Sequence, residues 1–102
     1  MMRIAAIVAQ FDGLRETDVL GWVARGWIRP DGEMLFQDID IARIGLIHEL
    51  LFRMDLAEDA IPLILSLLDQ VYELRGSLRS VLLAIETQPA PVREAILAAA
   101  RR

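Results

Sequence analysis

Hydrophobic positions between Ile61 and Ile85 fall at alternating spacings of three and four. One row holds Ile61, Ile64, Leu68, Val71, Arg75, Leu78, Leu82 and Ile85. A second runs beside it through Leu63, Leu67, Val71, Leu74, Leu78, Val81 and Ile85. This is helical periodicity with an a/d seam, and two rows make the apolar face wider than one seam needs. One face suits the protein's own core and the other a partner chain; the spacing does not assign them. Pro62 requires that helix to start near Glu58, which puts Glu58 and Asp59 in its first turn, where negative charge suits the helix dipole. Gly76 costs about 1 kcal/mol relative to Ala inside it. Thr87-Gln88-Pro89-Ala90-Pro91 ends it, and Val92 to Ala100 reads as a short last helix with Pro91 at its first position.

Upstream, Ile4, Ile7 and Val8 predict a first helix from Arg3 to about Gln10, punctuated by Phe11-Asp12-Gly13. A second helix runs from Arg15 or Glu16 to about Arg25, with Leu20, Val23 and Ala24 on its apolar side and Gly26 as a stop. Pro30 and the turn dipeptide Asp31-Gly32 then predict a small hairpin, with Trp27-Ile28 and Met34-Leu35-Phe36 as its arms. Asp38 caps a third helix, Ile39 to Met54, whose apolar positions Ile39, Ala42, Ile44, Ile47, Leu50, Leu51 and Met54 keep the helical period.

Charge narrows the function classes. The chain carries 15 acidic and 11 basic residues, a net of −4, and every basic residue is Arg. An acidic chain is a poor default binder of nucleic acid, because affinity there comes largely from neutralising phosphates. A hydrophobic fraction of 55% in 102 residues exceeds what one small core needs, so apolar surface is expected between chains. No cysteine is present, which removes disulfides and thiolate chemistry. Met1 to Gln10 is too short for a signal sequence. The Ile61–Ile85 stretch is long enough to cross a bilayer but carries Asp69, Glu73, Arg75 and Arg79, each costing about 2.5–3.5 kcal/mol at the bilayer centre. A soluble, cytoplasmic protein is expected.

No catalytic, cofactor or metal site assembles. His48 is the only histidine; a metal there would need carboxylates such as Glu49, and the residue reads as a partly buried helix position. Ser66, Ser77 and Ser80 have no histidine near them in sequence. Glu58-Asp59 reads as capping charge rather than an acid/base pair. Trp22 and Trp27 are read as packing between the second helix and the hairpin.

This order resembles an all-α, MerR-like winged helix-turn-helix with a small β-hairpin wing and a long C-terminal helix. Residues 1–102 then form a single domain, with a winged part over 1–56 and, over 57–102, a dimerisation helix and a short terminal helix. In that family the long helix usually pairs antiparallel with its mate, so a homodimer is expected. The match covers about Ile4 to Val71, through the stretch VARGWIRPDGEMLFQDIDIARIGLIHELL. Family DNA binders place an Arg and aromatics late in the second helix. The matching positions here are Leu20, Gly21 and Trp22, so the Arg is replaced. From Arg15 to Phe36, three Arg face four acids, a charge that phosphate repels.

One branch fits more closely. Trp27-Ile28-Arg29-Pro30, Leu35-Phe36-Gln37-Asp38, Ala42-Arg43-Ile44 and the run from Asp59 to Val71 resemble the chaperone-modulator CbpM family, Leu67-Leu68-Asp69 being the most specific part. The resemblance implies a protein that is not an enzyme, takes no cofactor, binds the J-domain of a DnaJ-like co-chaperone (CbpA type) and inhibits its action on a DnaK-type chaperone. The chain departs from the pattern after Arg75, where Leu82, Leu83 and Ile85 stay apolar. J-domains present a basic helix, so the candidate contacts are the acids Asp55, Glu58, Asp59, Asp69 and Glu73. The alternative is a MerR-type DNA-binding transcriptional regulator.

Overall fold

A computed structural model describes residues 1–101. The chain is mainly helical, with one two-stranded sheet. Its elements are β1 (Met2–Arg3), α1 (Ile4–Val8), α2 (Glu16–Ala24), β2 (Leu35–Phe36), α3 (Asp38–His48), a π-helical turn (Glu49–Arg53), α4 (Ala60–Glu86) and α5 (Ala90–Ala100). It divides into two compact units, Met1–Leu65 and the chain from Ser66 onward, with the boundary inside α4.

In the first unit the helices end where the local chemistry stops them. Gly26 holds φ +77° just past α2. There its N–H donates to the Val23 carbonyl (3.0 Å), and the Trp27 N–H donates to the Trp22 carbonyl (3.0 Å). Both bonds together are the Schellman closure that favours glycine at this position. A Cβ would meet no atom within 4 Å at Gly26, so only the dihedral penalises substitution. Gly26→Ala is therefore expected to cost about 1–2 kcal/mol, read as a lower urea midpoint with an unchanged slope.

The hairpin predicted around Asp31-Gly32 does not form. Instead β1 pairs antiparallel with β2, Met2 opposite Phe36 and Arg3 opposite Leu35. Trp27 and Ile28 are both buried, so they do not alternate as an exposed hairpin arm does. Arg43 Nε donates to the Trp27 carbonyl at 3.0 Å, taking an acceptor that a paired strand needs. Nor does Gly32 have the positive φ of a primed turn; the left-handed residue is Met34, at φ 60°, whose N–H closes the turn on the Asp31 carbonyl (3.0 Å). Asp31 organises the reversal, its Oδ1 accepting from the N–H groups of Glu33 (2.9 Å) and Leu35 (3.0 Å). Because Arg3 belongs to β1, α1 is shorter than its apolar spacing predicts.

The third helix also departs from expectation. Asp38 is its first residue rather than its cap, and the Gln37 N–H donates back to Asp40 Oδ2 at 2.9 Å. The α-helix stops at His48, short of Met54, and widens into the π turn, where the Met54 N–H reaches the Glu49 carbonyl at 2.9 Å. Asp55 follows in the left-handed region at φ 54°.

Ile7, Val19, Trp22, Trp27, Ile28, Phe36, Ile44, Ile47, Ile61 and Leu65 form the centre of the core, all within the first unit. The second unit has no counterpart: from Ser66 onward no described residue is buried. Its two helical stretches are the remainder of α4 and α5, the latter starting one residue earlier than predicted, with Pro91 in its first turn. Among the described residues no helix is long and apolar enough to cross a membrane.

Candidate interaction surfaces

One candidate surface is the outer side of α2. Its exposed residues are Glu16, Thr17, Leu20 and Ala24, none of them cationic. Arg15, just before the helix, pairs with Asp18 at 3.4 Å, and Asp18 also accepts the Arg15 backbone N–H at 3.0 Å. Arg25, just after it, binds Glu58 at 2.6 Å and lies over the Trp27 ring, 5.1 Å from its centroid. Trp22 and Trp27 are buried, so neither is presented as a recognition aromatic; they pack as their size leads one to expect.

The five acidic candidates fall in both units. Asp55, Glu58 and Asp59 lie in the first, on the connection between the π turn and α4, and all three are exposed. Glu58 is committed to Arg25. Glu58 and Asp59 stand before the helix rather than in its first turn, because α4 begins at Ala60 and the Ile61 N–H reaches the Glu58 carbonyl at 3.1 Å. Pro62 then falls in the first turn, where its missing N–H leaves no bond unmade. Asp69 and Glu73 belong to the second unit, on the exposed surface of α4.

Two features escaped the sequence reading. One is a surface cavity of about 640 Å³ lined by Gln10, Phe11, Asp12, Gly45, His48, Glu49, Phe52 and Arg53. His48 lies between two phenyl rings, with centroids 5.4 Å from Phe11 and 4.8 Å from Phe52. Its Nε2 donates to the Asp12 carbonyl at 2.7 Å, so the ring ties α3 to the loop after α1. That buried, bonded position agrees with the structural role read for His48. Gly45 makes room there: a Cβ would come within 3.3 Å of the Phe11 ring. Phe52 follows His48 by four residues, a spacing that puts both on one helical face, and it lies within the π turn.

The other is the division of labour along α4. Of the first row, Ile61 is buried, and Ile64 and Leu68 are half-buried. The second row stands in solvent: Leu63, Leu67, Val71, Leu74, Leu78 and Val81 are all exposed. The row assignment that the spacing leaves open is thus made in the first turns of α4, where Ile61 and Leu65 enter the core.

Among the described residues no three His, Asp or Glu side chains converge as a metal-binding group. No family model, no curated protein and no solved structure matches the chain.

Proposed function

We propose that the chain is a regulatory binding protein rather than an enzyme: a chaperone modulator that holds the J-domain of a DnaJ-like co-chaperone of the CbpA type and inhibits its action on a DnaK-type chaperone. On this reading the first unit is a MerR-like winged helix-turn-helix whose wing strand is β2, the protein acts as a homodimer in the cytoplasm, and DNA reading has been lost. The observation that carries the reading is the outer face of α2, which offers phosphate no cation while the flanking Arg15 and Arg25 are engaged by Asp18 and Glu58. The CbpM-like segments supply the partner. The element order supports the fold assignment in part: two helices, a turn-borne strand and a third helix follow one another as in that family's layout, while β2 pairs with β1 in place of a hairpin wing.

Charge complementarity accounts for how the partner is chosen. Asp55 and Asp59 are exposed acids on one short connection, and a basic J-domain helix approaching them is steered by opposite charge. Asp55→Lys combined with Asp59→Lys is expected to weaken J-domain binding about tenfold or more, equivalent to about 1.4 kcal/mol. The salt dependence of the remaining binding should flatten as well. Unchanged affinity in the folded double variant would remove this connection from the interface.

A further inference from the structure

We propose that the cavity beside His48 binds a guanidinium group, the head of an arginine side chain. His48 is only 7% exposed. Its Nε2 faces the Asp12 carbonyl at 2.7 Å, and a carbonyl only accepts, so Nε2 carries the proton. In the neutral ring Nδ1 then holds a lone pair. Nδ1 has no hydrogen-bond partner among the described residues. No buried side-chain nitrogen is left without a partner there either, so Nδ1 reaches solvent. His48 lines the cavity, and the lone pair opens into it. A ligand that fits must bring a donor.

The neighbours set the ligand's charge. Asp12 and Glu49 bring two carboxylates to the lining. Gln10 donates its amide nitrogen to Met2 Sδ at 3.4 Å, which leaves the amide oxygen as a further acceptor. Arg53 is the one cation among the lining residues, and it leans on Glu49 at 3.5 Å with its side chain 70% exposed. An exposed pair of that length holds weakly, so Glu49 is available to a second cation. Phe52, 43% exposed, adds an aromatic ring, over which a cation is attracted. An ammonium satisfies the charge alone. A guanidinium also stacks flat on a ring while its fork of N–H groups reaches a carboxylate and a ring nitrogen together. A cavity of about 640 Å³ has room for that plane and its aliphatic stem. Free arginine and an arginine within a basic partner carry the same head group, and neither requires that the partner be a J-domain.

His48 is the only histidine, so its ring gives a single imidazole signal in the NMR spectrum of the full chain. Titration with N-acetylarginine amide in mildly alkaline buffer is expected to shift that signal saturably, with a dissociation constant of about 1 mM. The citrulline analogue, which keeps the shape without the charge, should leave it unmoved. Glu49→Gln is expected to weaken binding about fivefold and Arg53→Gln to strengthen it about twofold, because one removes an attracting charge and the other a repelling one. Tryptophan emission checks that both variants keep the first unit's core, where Trp22 and Trp27 are buried. Weaker binding in Arg53→Gln would mean an anion site. An equal response to the citrulline analogue would mean selection by shape, and an equal response to N-acetyllysine amide a site for any cation. Each of these overturns the proposal, as does the lack of a saturable shift. Free L-arginine and an arginine-bearing peptide are the last two arms. Tighter binding of the first assigns a free metabolite and of the second a protein partner, and either supports the guanidinium site.

Discussion

Replacing Phe36 by Ala is expected to cost about 3–5 kcal/mol, the largest single loss in the molecule. Phe36 is fully buried, and it also carries the backbone of β2 opposite Met2. The cavity left behind borders a small core of aliphatic and indole side chains that has little freedom to collapse. Small domains hold about 5–15 kcal/mol in all, so this one change removes much of the margin. Trp22 and Trp27 are the only two tryptophans and both are buried in the first unit, so their fluorescence reports it directly. The urea midpoint should fall by about 2 M, or the cooperative transition should vanish. A shift under about 0.5 M would mean that the sheet and its Phe36 are not central to this unit.

Leu74→Glu together with Leu78→Glu is expected to turn the proposed dimer into a monomer. These two side chains are 69% and 58% exposed in the single chain, so the charges cost the monomer little. In the paired seam they meet their counterparts in an apolar interface, where an unpaired charge carries a heavy desolvation cost. The dissociation constant should rise at least a hundredfold, equivalent to about 2.7 kcal/mol. Sedimentation velocity reads the change. The tryptophan emission should stay as in the parent, because the first unit's core ends at Leu65. A dimer of undiminished stability would place the contact on another surface.

What the sequence revealed depends on how local the cause is. Gly26 stops α2 and Pro91 sits in the first turn of α5 through the dihedrals of single residues, and both signals were legible. The span of α4 was legible because twenty-seven residues of period 3.6 outweigh Gly76. The sheet was not, since Met2 and Arg3 carry no strand pattern and find their partners more than thirty residues away. Asp31-Gly32 misled for a related reason: the turn is there, but Asp31's side chain and Met34's backbone make it, leaving Trp27 and Ile28 to the core. The π turn at Glu49–Arg53 was invisible because its residues continue the apolar spacing of α3 without interruption. Phe52 and Arg53 of this turn line the cavity beside His48.

The acidic candidates show the same limit on the functional side. Their sequence spacing treats Asp55 to Glu73 as one stretch. The structure gives Glu58 an Arg partner and assigns Asp69 and Glu73 to the other unit. That leaves Asp55 and Asp59 as the pair whose charge is presented together on one short connection. The lack of cations on the exposed side of α2 was legible, since Glu16, Thr17, Leu20 and Ala24 carry none whatever the fold around them.

We propose that this chain binds a protein, the J-domain of a co-chaperone, and not DNA. Calorimetric titration of the full chain with a cognate J-domain tests it most directly, with duplex DNA in the same low-salt buffer as the comparison. The account predicts micromolar or tighter binding to the J-domain and no heat with DNA. No binding to the J-domain, or salt-sensitive binding to the duplex in its place, would contradict it and return the protein to the MerR-type regulators.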